Sequence, residues 1–359
     1  MFQILKRLKT SILAVGLIAL PSLAFADSIA PTSFTDTLAV GESVTIRKTV
    51  TVTSAPPVDA KIDVLFFADT TGSMSSALSS VKASIAAITA AVDPLGDVQW
   101  GVSEYKDITD VEPVRPYELR QDITNDNSLV AAAVAALSAG GGGDTPEGQL
   151  PALKEAAETT SWRAGSARIL VWFGDALGHD PRDGVTESDA ITALQAENIE
   201  VQAVGVTSGA NNFDSTGQAS RITAATGGSF TSGVAGNNVA DALIASITSA
   251  IDTYSVVSLD LSEAPAGVTV GGVPGSIVGA FDRSVERTFD FDVTFTGVAP
   301  GDFFFDIFAT VDGGRVATEA DHITVGITDV PEPGTLGTLG LGIALLGFAR
   351  RKRRTHLTP

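Results

Sequence analysis

Three oxygen-bearing side chains, Asp69, Thr71 and Ser73, occupy alternate positions directly after the apolar run Ile62 to Ala68. One carboxylate and two hydroxyls turned toward a common point form a hard-oxygen donor set. Such a set suits Mg²⁺ or, with further ligands, Mn²⁺ or Ca²⁺. The same residue types also favour a helix N-cap, and the Ala-, Ser- and Ile-rich stretch Ser75 to Val92 that follows reads as a helix. At this point both readings stand.

The elements that must position these residues can be traced outward. Ile62 to Ala68 is apolar on both faces, as a central strand covered on each side must be. Strand, polar loop and helix open a βαβ unit, whose ligands sit just beyond the carboxyl ends of the strands. Further strands are expected at Val98–Tyr105, Ala167–Gly174 and Ile199–Val206, with a short one after the turn at Gly227–Phe230. Helices are expected at Asn127–Ser138, Gln149–Thr159, Glu187–Ala196, Gln218–Thr226 and Val239–Tyr254. This alternation over residues 58–255 predicts an α/β domain, a doubly wound and mostly parallel sheet with helices on both faces.

The flanking segments differ in texture. Before Pro56-Pro57 come the apolar Leu38–Val40 and the stretch Ser43–Thr53, which alternates and is rich in β-branched residues, the signal of strands. From Val256 onward, strands are expected near 257–261, 267–270, 287–295, 302–311 and 322–327, with no helix between them. Phe289, Phe291, Val293 and Phe295 alternate with polar neighbours, so one face is buried. The strands of residues 27–57 lack partners of their own. They are expected to pair with residues 256–328, so that the α/β domain is inserted into an all-β sandwich module.

Both ends carry targeting features. In residues 1–26, Lys6, Arg7 and Lys9 precede the apolar run Ile12 to Leu20, and Ala24-Phe25-Ala26 is a small-x-small cleavage site. This is the layout of a secretory signal peptide; the apolar run is short for a membrane span. At the other end, Val330-Pro331-Glu332-Pro333 precedes an apolar segment, Thr335 to Ala349, and the cluster Arg350 to Arg354. A basic cluster of this kind stays on the cytoplasmic side. The three-part tail, residues 329–354, resembles the PEP-CTERM sorting signal of Gram-negative bacteria. That resemblance implies an exosortase as processing partner, removal of the tail after transient membrane contact, and export to the cell surface or extracellular matrix. An ordinary C-terminal membrane anchor is the alternative.

The 359 residues include 36 Gly and no Cys, so any metal must be held by oxygen or histidine. Residues 27–329 carry 15 Lys+Arg against 41 Asp+Glu. So acidic a surface repels nucleic acid and anionic lipid; it suits an exported protein in contact with divalent cations, or serves solubility alone.

Two further loops lie near the carboxyl edge of the predicted sheet. One carries Asp144, Thr145 and Glu147; the other carries Asp175. Acids gathered at one edge repel one another, and a shared divalent cation removes that cost. Asp69-x-Thr71-x-Ser73 resembles the Asp-x-Ser-x-Ser signature of the von Willebrand factor A domain, its metal-ion-dependent adhesion site, with Thr71 in place of the first Ser. Asp144-Thr-Pro-Glu-Gly148 and Gly174-Asp-Ala-Leu-Gly-His179 are similar to the corresponding loops of the integrin β-chain version. The resemblance implies Mg²⁺ or Mn²⁺ held by Asp69, Thr71 and Ser73. Glu147 is the implied second-loop ligand and Thr145 its competitor; Asp175 completes the set through water. A neighbouring site of the integrin type is not expected, because Ser76 and Ala77 stand where its acids belong. A second cation, Ca²⁺, would draw on Asp107 and Asp144, with Gly142 where the family carries Asn.

The function implied is metal-dependent adhesion: a protein partner offers an Asp or Glu carboxylate to the open coordination position. Two other readings are kept. The cation could only tie down acidic loops in a structural matrix protein. A metal-assisted hydrolase could use His179 and Asp180, but no nucleophile-elbow, His-Glu-x-x-His or phosphate-loop motif accompanies them, so a non-enzymatic protein is expected.

Overall fold

The structure is a computed structural model that describes residues 27–57, 60–107, 116–143, 145–208 and 212–326. The signal segment, the tail and Asp144 lie outside the described residues. Three strands come first, β1 (Ser28–Ala30), β2 (Ser33–Ala39) and β3 (Ser43–Val52). The α/β region follows with β4 (Lys61–Asp69), α1 (Ser75–Val92), β5 (Asp97–Tyr105), β6 (Tyr117–Thr124), α2 (Asn127–Ala136), α3 (Gln149–Thr159), β7 (Ala167–Gly174), α4 (Glu187–Ala196), β8 (Ile199–Thr207), α5 (Gln218–Thr226), β9 (Phe230–Ala235) and α6 (Val239–Asp252). The chain closes with β10 (Thr253–Asp260), β11 (Val268–Val273), β12 (Ser276–Asp282), β13 (Arg287–Gly297), β14 (Gly301–Val311) and β15 (Gly314–Gly326).

The α/β region is one six-stranded sheet in the order β6-β5-β4-β7-β8-β9. All its pairs are parallel except β5 with β6. β4 is central because both of its faces are apolar: Val64 and Phe66 meet α1, α2 and α6 on one side. Leu65 and Phe67 meet the layer of α3, α4 and α5 on the other. β6 is not foreseen from sequence. Its residues alternate Glu118, Arg120 and Asp122 with half-covered neighbours, and it holds to the sheet edge through antiparallel pairing and the Arg120–Glu104 ion pair.

The other strands form two sheets, β1-β3-β13-β11 and β12-β10-β14-β15-β2. β3 pairs antiparallel with β13 over ten residue pairs, Ser43↔Thr296 to Val52↔Arg287, and β2 pairs parallel with β15. The N-terminal strands thus complete both sheets of a sandwich whose remaining strands follow the α/β region, so the α/β domain is inserted. Phe289, Phe291, Val293 and Phe295 face the sandwich core with Val50, Ile307 and Ile323. The sandwich strands also depart from the sequence reading. β1 and β12 are not among the expected strands, β2 begins at Ser33 rather than Leu38, and β15 begins at Gly314 rather than near His322. The final helix also ends at Asp252, because Tyr254 already pairs with Phe281 of β12.

Phe66 is fully buried and stacks on Trp100 with ring centroids 5.4 Å apart. Phe66→Ala is expected to cost about 3–5 kcal/mol in denaturant unfolding of the α/β domain, the usual range for a phenyl cavity.

Candidate metal centre

Asp69 is the last residue of β4, and the apolar strand delivers its carboxylate, fully buried, to the carboxyl edge of the sheet. The Thr71 backbone N–H and Oγ1–H both donate to Asp69 Oδ1, at 2.8 and 2.7 Å. Thr71 Oγ1 lies 3.3 Å from Ser73 Oγ. The three side chains therefore converge. Neither hydroxyl caps a helix: Thr71 precedes a short 3₁₀ turn, Gly72–Met74, and makes no side-chain cap bond, and α1 begins from Met74 without one. Asp69 Oδ2 is buried and has no hydrogen-bond partner.

The glycine run of the second loop backs onto the first. Gly140 N–H donates to Thr70 O, and Gly72 N–H donates to Gly141 O. Gly141, Gly142 and Gly143 have φ values of +74°, +95° and +59°, the left-handed region that disfavours a side chain. A Cβ on Gly142 would lie 2.8 Å from Thr71 Cγ2 and 3.6 Å from Glu147 Oε1. Thr71 and the Glu147 carboxylate thus flank the same glycine. The Asn that the family resemblance leads one to seek at this position would collide with Thr71.

Glu147 is buried and Thr145 is exposed. The Glu147 main chain is clamped to the third loop, with its N–H donating to Leu177 O and His179 N–H donating to its carbonyl. Its Oε2 accepts from the Asp107 N–H at 3.1 Å. Asp175, fully buried after β7, accepts from the Ser208 hydroxyl through Oδ2, while Oδ1 has no hydrogen-bond partner. Asp107 stands apart from this cluster in its charge balance, because Arg182 Nη2 lies 3.1 Å from its Oδ1 and His179 Nε2 3.7 Å from its Oδ2. The Asp180 carboxylate accepts from Glu187 N–H at the start of α4.

Electrostatics follow from burial. Loss of water pushes the Asp69 carboxyl up to about 7, with Asp175 adding repulsion against the Thr71 hydrogen bonds. Burial, then the charge of Asp69, pushes Glu147 up to about 8. The neighbouring Tyr105 hydroxyl is likewise raised, by burial first and by Asp69 next. Among the described residues, no three His, Asp or Glu side chains stand together closely enough to hold a metal by themselves. Here the donor set includes hydroxyls. Two buried carboxylate oxygens without partners, two adjacent hydroxyls and a mutually repelling set of acids fit a small hard cation. Sequence reasoning missed Ser208, although it lies just past the carboxyl end of β8, where such sites occur.

Residues 329–354 match the PEP-CTERM protein-sorting motif. The motif implies exosortase-mediated processing, so this is an exported protein destined for the cell surface or its surroundings. No curated protein matches the chain. Among solved structures, it is similar to a von Willebrand factor type A protein from Catenulispora acidiphila, at 15% identity and a TM-score of 0.45, over 86% of this chain and 76% of that one. It is also similar to the pilus adhesin SpaC from Lactobacillus rhamnosus GG, at 12% identity and a TM-score of 0.42, over 80% of this chain but 46% of that one.

The raised carboxyls define a pH signature. For both, the folded-state pKa lies above the unfolded value. Their contribution to stability is therefore full below the ordinary carboxylate range and is lost as pH rises through about 7 to 8. Glu200 and Glu319 slope the same way, so the informative quantity is the difference made by metal. Saturating Mg²⁺ is expected to raise Tm by several degrees at pH 8.5 and by little at pH 5. Asp69→Asn should raise the metal-free Tm at pH 8.5 and remove the Mg²⁺ response; differential scanning calorimetry reads both.

Proposed function

We propose that this exported protein binds a protein ligand through a divalent cation, Mg²⁺ or Mn²⁺, held at the carboxyl edge of the α/β sheet. Asp69, Thr71 and Ser73 would form the principal donor set, with Glu147 and Asp175 in support. The observation that carries this reading is the buried, unpartnered Asp69 Oδ2 beside the paired Thr71 and Ser73 hydroxyls. When bound, the cation offers Lewis acidity toward a carboxylate and cancels the repulsion among the acids. The chain's own residues do the rest. Asp69 orients Thr71 through two hydrogen bonds, Gly142 leaves room for that side chain, and Ser208 holds Asp175.

Ser73 is exposed at the rim of the cluster, which supports an approach of the partner's Asp or Glu from that side. Glu147 is favoured over Thr145 because it is buried beside Thr71, whereas Thr145 is exposed. A second cation at Asp107 would compete with Arg182 for the same carboxylate, so a single site is the simpler reading. α6 packs along α1 and runs into β10 without a linker, which offers a route from the cluster to the sandwich. A purely structural cation is the second reading; the close backbone ties among the three loops favour it.

Calorimetric titration of Mg²⁺, Mn²⁺ and Ca²⁺ into the stripped protein tests the first step. Saturable binding that Asp69→Ala weakens at least tenfold is expected; no binding by the folded wild-type protein would end the metal reading. Capture of immobilised acidic peptides should then require the metal, be lost in EDTA and survive His179→Ala. Metal binding without any such capture would favour the structural role, and loss of a hydrolytic activity in His179→Ala would favour an enzyme.

A further inference from the structure

The sandwich interior contains three ionisable side chains where its pattern calls for apolar ones. The inward face of β3 reads Val44, Ile46, Lys48, Val50 and Val52. The inward face of β15 includes Val316, Glu319, Asp321, Ile323 and Val325. The side chains of Lys48, Glu319 and Asp321 are all fully buried. Lys48 Nζ lies 2.5 Å from Glu319 Oε1 and 3.5 Å from Asp321 Oδ2. The rings of Phe295 and Phe34 wall the amine, their centroids 5.1 and 5.9 Å from Nζ. β3 belongs to one sheet and β15 to the other, so the contact crosses the core.

As an ion cluster this arrangement is costly. Each buried ion loses its hydration, and apolar residues of similar volume would serve stability as well. One cation also cannot neutralise two carboxylates, and burial pushes Glu319 up to about 7. A reaction that removes charge from the core relieves this cost. An amine held against a carboxyl group in a site closed to water meets the conditions for amide formation, because proximity replaces a bimolecular encounter and no solvent competes.

We propose that Lys48 and Asp321 join through an intramolecular amide bond between Nζ and Cγ, with Glu319 carrying the protons. The 2.5 Å contact suits proton passage to Glu319, and the 3.5 Å approach to Asp321 suits nucleophilic attack. Two of the three ammonium protons pass in turn through the Glu319 carboxylate to one Asp321 oxygen. The Nζ–Cγ bond forms, that Cγ–O bond breaks, and the oxygen leaves as water. Glu319 returns to its starting state, and nothing is oxidised or reduced. The product is a neutral cross-link between the two sheets.

Peptide mapping of the full exported chain by mass spectrometry after denaturation tests this. The expected result is one branched peptide joining the Lys48 and Asp321 segments, lighter than their sum by one water, with tryptic cleavage at Lys48 blocked. Fragmentation should place the branch on Asp321. Glu319→Gln should yield the two segments unlinked while its circular dichroism matches wild type, and Lys48→Arg should do the same. Unlinked segments in the wild type would overturn the proposal without recourse to any variant. A branch on Glu319, or full linkage in Glu319→Gln, would overturn the assigned roles.

Discussion

Buried negative charge is the constraint on which both halves of this protein turn. The central strand of the α/β sheet ends in a carboxylate that the apolar layers exclude from water, and only one of its oxygens is satisfied from within the chain. Asp175 repeats the pattern one strand away, and Glu147 brings a third carboxylate to the same edge. Left alone, such a set favours protonation. Folding supplies hydroxyls and backbone N–H groups but leaves specific oxygens without partners.

The sandwich meets the same constraint with different means. There a lysine is brought into the core to face two acids, inside an aromatic wall. In the α/β domain the cluster includes a solvent-exposed hydroxyl, Ser73, next to Thr71; in the sandwich the side chains of Lys48, Glu319 and Asp321 are all buried. A cluster with an exposed hydroxyl at its edge can exchange a counter-ion, whereas a fully sealed one must resolve its charge internally. In the proposed reading this difference separates a binding edge from a mechanical clamp.

The topology joins the two modules in a way that suits a protein working outside the cell. Because β1–β3 and β10–β15 share two sheets, the inserted domain is anchored at both of its ends. The Arg283 guanidinium grips Asp27 through two nitrogens, 2.9 Å each, tying the turn after β12 to the residue just before β1. Two chain connections, after β3 and at the α6–β10 junction, therefore join the modules rather than one.

Much of this was legible in the residues. Apolar runs four to eight residues long, broken by Gly and polar turns, mark the central strands, and alternation marks β3 and β13, because burial on two faces or one imposes those patterns. The alternate spacing of Asp69, Thr71 and Ser73 signals three oxygen-bearing side chains turned to one point, and the fold brings them together. The pattern fails where packing contradicts composition. β6 is polar because it is an edge, and the first half of β15 hides because Glu319 and Asp321 occupy inward positions that alternation assigns to apolar residues. The choice between cap and ligand geometry for Thr71, the burial of Glu147 against the exposure of Thr145, and the meeting of Lys48 with Asp321 across 273 residues depend on which atoms folding brings within a few ångströms. Local sequence sets the period and chemistry of each element; the distances between elements arise only when the two sheets and the three loops close on one another.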